Sequence, residues 1–171
     1  MSSSIALLKK LLATALLFAL LGLSACATGP KQPWHAFDFD GWGDKWATKV
    51  DLLEYSYGDQ YKMVQRQVKA DQQTLGYNSG VNGPMPVGEF LYVKWRIKST
   101  GEVVEDKVDL RNKLAKNMFE HRVTFTIDGR QLYVYLVTPK GKKVGEAPVL
   151  RTSWSFINVT FEIYPNNTYK P

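Results

Sequence analysis

The sequence predicts a mainly β protein, an antiparallel sandwich or open barrel with at most one short helix, on three observations. Apolar and polar residues alternate with a period of two in several short segments. Gly, Pro and Asp turn signals separate those segments at close spacing, as in small all-β domains. Five Trp, nine Tyr and eight Phe supply the broad rings that favour pleated surfaces. No internal repeat is visible.

The first clear strand holds Val50, Leu52 and Glu54 in alternation with Asp51, Leu53 and Tyr55, and stops at Gly58-Asp59. Residues 61–68 fit a strand or a short helix, and periodicity does not separate the two. Gly76, Asn78, Ser79, Gly80, Asn82, Gly83, Pro84, Pro86 and Gly88 make 69–88 the longest irregular stretch, a length that is uncommon in loops without a function. Next, Leu91, Val93, Trp95 and Ile97 point one way, and Phe90, Tyr92, Lys94 and Arg96 the other. Ser99-Thr100-Gly101 predicts a hairpin into 102–110, where Val104 and Val108 share a face. Asp109 is placed to cap a short helix through Leu110, Leu114 and Phe119. Val123, Phe125 and Ile127 form a strand face that continues in Leu132, Val134 and Leu136 across the turn Asp128-Gly129, opposite Tyr133 and Tyr135. Pro139-Lys140-Gly141 turns the chain again, and Ile157, Val159, Phe161 and Ile163 share the last strand face. The expected core is Leu91, Val93, Trp95, Phe125, Val134, Phe161 and Ile163.

The start of the chain has a secretory layout: Lys9 and Lys10, an apolar stretch from Leu11 to Leu23, then Leu23-Ser24-Ala25-Cys26. The two lysines leave an apolar run short of the ~20 residues a membrane span needs. The Leu, two small residues and Cys resemble the lipobox of bacterial lipoproteins. That resemblance implies cleavage before Cys26 and acylation of its thiol and new amino group. Ala27 stands where inner-membrane retention signals carry Asp, which implies the outer membrane with the body facing the periplasm. The expected organisation is a signal peptide over 1–25, an acylated cysteine and tether over 26–36, and one β-rich domain over 37–171.

Removing 25 of 171 residues leaves 146, and removing two lysines lowers the side-chain balance from +6 to +4. The size suits one domain with its own core. The charge is too mild and too scattered for a nucleic-acid binder. The one cysteine is assigned to lipid, so stability rests on packing rather than a disulfide.

Catalytic motifs are absent from the sequence: it has neither a G-x-S-x-G elbow nor a phosphate-cradling glycine loop. His35 falls in the expected tether. His121 shares parity with Val123 and reads as a core-edge residue; with Asp109 or Glu120 it is the one thin hydrolase candidate. Asp38, Asp40 and Asp44 resemble an acidic calcium loop, but Lys49 stands where that loop ends in a bidentate Glu, so no metal or other cofactor is expected. Trp42 and Trp46 are instead expected to pack on the sheet. Asn158-Val159-Thr160 and Asn166-Asn167-Thr168 match a glycosylation pattern that a bacterial lipoprotein does not use. Glu102, Glu105, Asp106 and Asp109 read as a solvated acidic strand.

Two features point to binding. Phe90, Tyr92, Tyr133 and Tyr135 form an expected outward aromatic row beside Lys94 and Arg96, the composition of interface hot spots. The alternative is that a second layer covers these rings. The cations Lys140, Lys142 and Lys143, with Arg111, Lys113 and Lys116, either meet an anionic partner or only keep the surface soluble. The stretch from Gly83 to Arg96, with Thr100-Gly101-Glu102 and Val108-Asp109-Leu110-Arg111, resembles a group of small uncharacterised proteobacterial lipoproteins, as do Tyr57-Gly58-Asp59 and Leu132-Tyr133-Val134-Tyr135. The layout is also similar to lipid-anchored immunity proteins that neutralise periplasmic phospholipase toxins of type VI secretion systems. The expected function is therefore a non-enzymatic, membrane-anchored module that binds a protein in the periplasm through Tyr77 in the 76–88 loop and through Tyr92, Lys94, Arg96, Tyr133 and Tyr135. A structural envelope role or an envelope hydrolase is the alternative.

Overall fold

The computed structural model describes residues Gln32–Pro171; the expected signal segment and Cys26 lie outside them. Nine strands form two sheets: β1 (Trp34–Asp40), β2 (Val50–Tyr57), β3 (Gln65–Gln67), β4 (Asn78–Pro84), β5 (Phe90–Ile97), β6 (Val103–Asp109), β7 (Arg122–Asp128), β8 (Gln131–Gly141) and β9 (Asn158–Tyr164). The five-stranded sheet runs β4-β1-β7-β8-β9 and the four-stranded sheet β3-β2-β5-β6. All pairs are antiparallel except β1 with β7, which is parallel. Helical structure among the described residues is confined to 3-10 turns at Lys62–Val64 and Ser153–Phe156. The protein is a β-sandwich, as its alternation predicts.

Period-two alternation puts one side of each sheet into a shared core. Phe37 and Phe39 of β1 meet Tyr55 and Tyr57 of β2, with Phe37 stacked on Tyr57 at 4.9 Å and 3°. Phe125 sits 4.8 Å from Phe39 and 6.0 Å from Trp46, ring centre to ring centre. Leu91, Val93, Trp95, Val134 and Ile163 are fully buried as expected, and Phe161 is half-buried against Tyr169 at 5.1 Å. The Trp95 indole N–H donates to the Gly129 carbonyl at 2.9 Å, so this buried ring leaves no polar atom unmet. Gly88 is required where the chain closes on β2: a Cβ there would lie 2.6 Å from the Tyr57 ring.

Several local expectations are corrected. The end of the expected tether and the residues after it, which the glycines at 41 and 43 predict as a structured loop or edge, are instead β1, a central strand whose His35, Ala36, Phe37 and Phe39 are all buried; Pro33 and Gly41 bound it. The irregular 69–88 stretch contains β4, which pairs with β1 from Trp34↔Pro84 to Asp40↔Asn78. It is an edge strand, where Gly, Asn and Pro are tolerated because one side of the ladder stays open. No helix follows Asp109. Its Oδ1 accepts from the Arg111 N–H at 3.0 Å and Asn117 does the same for Phe119, and these short side chains hold the backbone in turns instead. Leu110, Leu114 and Met118 still seal the core from there. The hairpin loop is Gly129-Arg130 rather than Asp128-Gly129, because Asp128 pairs with Gln131 and Gly129 takes φ +61°. β8 runs on through Pro139 to Gly141 where a turn was expected. In β9 Ile157 lies outside the strand and is exposed, while Thr160 is buried, because the β8–β9 register shifts twice and breaks the alternation.

Register fixes the two ends of the sandwich. Ala36 pairs with Arg122 and Arg122 with Val137, so β1 and β7 begin, and β8 ends, at one end. Tyr57 at the end of β2 meets His35, and Phe90 opens β5 opposite Asp109. The loops 58–64, 110–121 and 142–157 therefore start from this end, which is here called basal. Trp42 and the 129–130 hairpin mark the apical end.

Candidate protein-docking face

The outward side chains of the two sheets meet different fates. Residues 142–157 fold back across the outer face of the five-stranded sheet as a strap. Tyr135 Oη donates to the Leu150 carbonyl at 3.1 Å, and the Ser153 N–H donates to Asp44 Oδ1 at 2.7 Å. The Arg151 guanidinium lies 4.3 Å over the Tyr133 ring, and that of Arg122 3.9 Å over Trp154. Thr124, Thr126 and Tyr135 are fully buried although they point away from the core. The expected row is thus split. Tyr133 and Tyr135 belong to β8 under the strap, whereas Phe90 and Tyr92 belong to β5 in the other sheet. Burial holds the Tyr135 hydroxyl up at about 12.

The outer face of the four-stranded sheet carries no such cover among the described residues. Its rows run across strands: Gln67, Glu54, Lys94 and Glu105 in one, Gln65, Ser56, Tyr92 and Lys107 in the next. Lys94 is flanked by Glu54 and Glu105, with its amine 3.4 Å from the Glu105 carboxylate. Tyr92 Oη donates to the same carboxylate at 2.8 Å. Burial first, then that hydrogen bond and the Glu105 charge, raise the Tyr92 hydroxyl to about 12, so it remains a donor at any physiological pH. Lys107 lies 4.0 Å over the Phe90 ring. Beside them Glu89, Phe90, Lys107, Asp109 and Arg111 line an open recess of about 350 Å³. Arg111 grips Asp109 through Nε and Nη2 and holds its carboxyl down at about 2.

Arg96 and Tyr77 meet at the apical margin. Asp51 lies 3.7 Å from Arg96 and accepts from Tyr77 Oη at 3.1 Å. Tyr77 also packs edge-on against Trp42 at 5.3 Å and Trp46 at 6.1 Å, which makes it a rivet more than a free loop contact. Trp46 is buried, as expected; Trp42 is largely exposed. The structure therefore brings together Tyr92, Lys94 and Arg96, joins Tyr77 to their margin, and separates Tyr133 and Tyr135. Sequence reasoning missed Glu54, Glu105 and Lys107 as members of the face. The 99–101 hairpin held the signal, since counting outward from it pairs Lys94 with Glu105.

The acids of the supposed calcium loop have other work. Asp38 pairs with Arg122, Asp40 Oδ1 accepts the N–H groups of Trp42 and Gly43, and Asp44 holds the strap. Burial raises the Asp44 carboxyl, against the opposing Ser153 hydrogen bond. His121 Nδ1 bonds the Phe119 carbonyl at 2.9 Å; the Asp109 carboxylate expected beside it is held by Arg111.

His35, expected in a loose tether, is fully buried. Its Nδ1–H donates to the Pro33 carbonyl at 2.9 Å, and Nε2 accepts from Tyr57 Oη at 3.2 Å, the tautomer that satisfies both partners. Burial lowers its pKa below 6.5, the Pro33 bond opposes that, and His121 adds to it. The unfolded chain therefore binds a proton near pH 6.5 that the folded chain refuses, so stability is full above that pH and falls as pH drops through the folded pKa. Urea midpoints should fall between about pH 7 and pH 5.5 in the wild type. His35→Gln should flatten that slope; an equal slope in the variant would place the titration elsewhere.

Comparison with protein-family models, with curated proteins and with solved structures finds no match to this chain.

Proposed function

We propose that the protein is a lipid-anchored envelope module, facing the periplasm from the outer membrane, that binds another protein through the open face of its four-stranded sheet and catalyses no reaction. The observation that supports it is the asymmetry of the sandwich. Among the described residues one outer sheet face is covered by the strap and the other carries no cover, with Phe90 and Tyr92 set among alternating charges. Exposed ion pairs of this kind contribute little to stability, about 0–1 kcal/mol each, but they orient a partner and exclude wrong ones. Rigid rings between them supply contact area at low entropic cost.

The anchor rests on Leu23-Ser24-Ala25-Cys26. Replacing Cys26 with Ser should abolish fatty-acid labelling and leave an uncleaved precursor; normal processing of that variant would refute lipidation. The partner class follows the layout, which makes a secreted periplasmic toxin the first protein to test. The double variant Phe90→Ala, Tyr92→Ala should keep the fold, since both rings are outside the core. It should weaken the partner by ~2 kcal/mol or more, about thirtyfold in Kd, if the rings are hot spots. Unchanged affinity in the folded variant would move the interface off this face.

A further inference from the structure

Among the described residues nine large apolar side chains are exposed, and they are not scattered. Trp34, Met63, Phe119, Val144, Phe156 and Ile157 all lie at the basal end, on the start of β1 and in the three loops that leave that end. The Glu120 N–H donates to the Trp34 carbonyl at 2.7 Å, which sets Phe119 next to Trp34. The Lys142 N–H donates to the Ile157 carbonyl at 2.9 Å, which brings Val144 and Phe156 to the foot of the strap. Val144 is as exposed as a side chain can be, at 106%. Isolated apolar residues on a surface need no explanation, but six gathered at one end mark a contact.

The chain itself says what they contact. Seven residues separate Cys26 from Trp34, so a lipid on Cys26 holds the basal end within about 28 Å of a bilayer at full extension. Lys62, Lys116, Lys140 and Lys143 are exposed around the same end, interspersed with Asp59, Glu89, Glu120 and Glu146, and their amines can reach lipid phosphates. Trp and Phe beside lysine are the side chains that settle at a membrane interface. We propose that the basal end is a membrane-docking surface, which seats these six side chains in the headgroup region and holds the sandwich upright on the bilayer. The inference rests on the lipid-anchored reading above and adds an orientation to it: the open face of the four-stranded sheet then stands at the side of the molecule, free for a protein partner.

The test uses the full lipidated protein reconstituted in phosphatidylethanolamine–phosphatidylglycerol vesicles with brominated acyl chains, which quench nearby tryptophan. Trp34 and Trp42 are both about half exposed, at 51% and 59%, but lie at opposite ends of β1, so each serves as the other's control. Wild type should be quenched, Trp34→Phe should lose most of the quenching, and Trp42→Phe should keep it. Vesicle-bound protein with no quenching, or with equal losses in the two variants, overturns the docking proposal and leaves the lipid anchor standing. Protein that carries no lipid and does not float with the vesicles overturns both.

Discussion

Phe125→Ala should destabilise the sandwich by about 3–5 kcal/mol, a large part of the 5–15 kcal/mol available to a domain of this size. Phe125 is fully buried at the centre of β7 and touches three rings from two other segments: Phe37 and Phe39 of β1, and Trp46 of the apical loop. Truncation removes the transfer free energy of the ring and leaves a cavity that stiff aromatic neighbours cannot close. Equilibrium urea unfolding at pH 7.5 measures it. Phe125→Leu should recover much of the loss, because most of the volume returns. A loss below about 1 kcal/mol for the alanine variant would mean the two sheets do not pack through this ring.

Arg122→Ala should cost about 3 kcal/mol and release the strap. The Arg122 guanidinium neutralises Asp38 where only 23% and 14% of the two side chains is exposed, and it carries Trp154 on its other side at 3.9 Å. Removing it strands a largely desolvated carboxylate whose Oδ2 faces Arg122 and whose Oδ1 already has no partner. The strap's other ties are Tyr135 to Leu150, Ser153 to Asp44 and Arg151 over Tyr133, while the hydroxyls of Thr124, Thr126 and Thr152 beneath and within it form no hydrogen bond. Limited trypsin digestion should then cut at Lys143 and Arg151 faster than in the wild type. Pairing Arg122→Met with Asp38→Asn should restore much of the stability while leaving the strap loose, because the stranded charge is gone but the stack is not rebuilt. Wild-type digestion rates in Arg122→Ala would mean the strap is held elsewhere.

The strands that could be read from the sequence are those whose evidence is local. Leu91, Val93 and Trp95 alternate cleanly, a turn signal follows, and β5 through β8 emerge with their faces correctly assigned. β1 was hidden because its pairing is not local. Ala36 finds Arg122 across more than half the described chain, and Pro33 and Gly41 frame the segment like a loop. β4 was hidden because its glycines carry no pattern; as an edge strand it needs backbone pairing and not side chains. The predicted helix failed because Leu110 and Leu114 have helical spacing, while Asp109 and Asn117 bind the backbone amides a helix would use. The site shows the same division. Parity placed Tyr92, Lys94, Tyr133 and Tyr135 outward, and they are outward. Parity does not say which sheet a strand joins, so it merged two faces on opposite sides of the molecule into one row.

The central proposal is that the uncovered face around Tyr92 meets a protein in the periplasm. A photoreactive amino acid placed at position 92 of the full-length, membrane-anchored protein, and at position 133 as the control beneath Arg151, tests it in living cells. Irradiation should give one discrete cross-linked species from position 92 and none from position 133. Cross-linking from both positions alike, or from 133 alone, would contradict the proposal, and so would an unmodified protein at position 92 in cells that make the cognate partner.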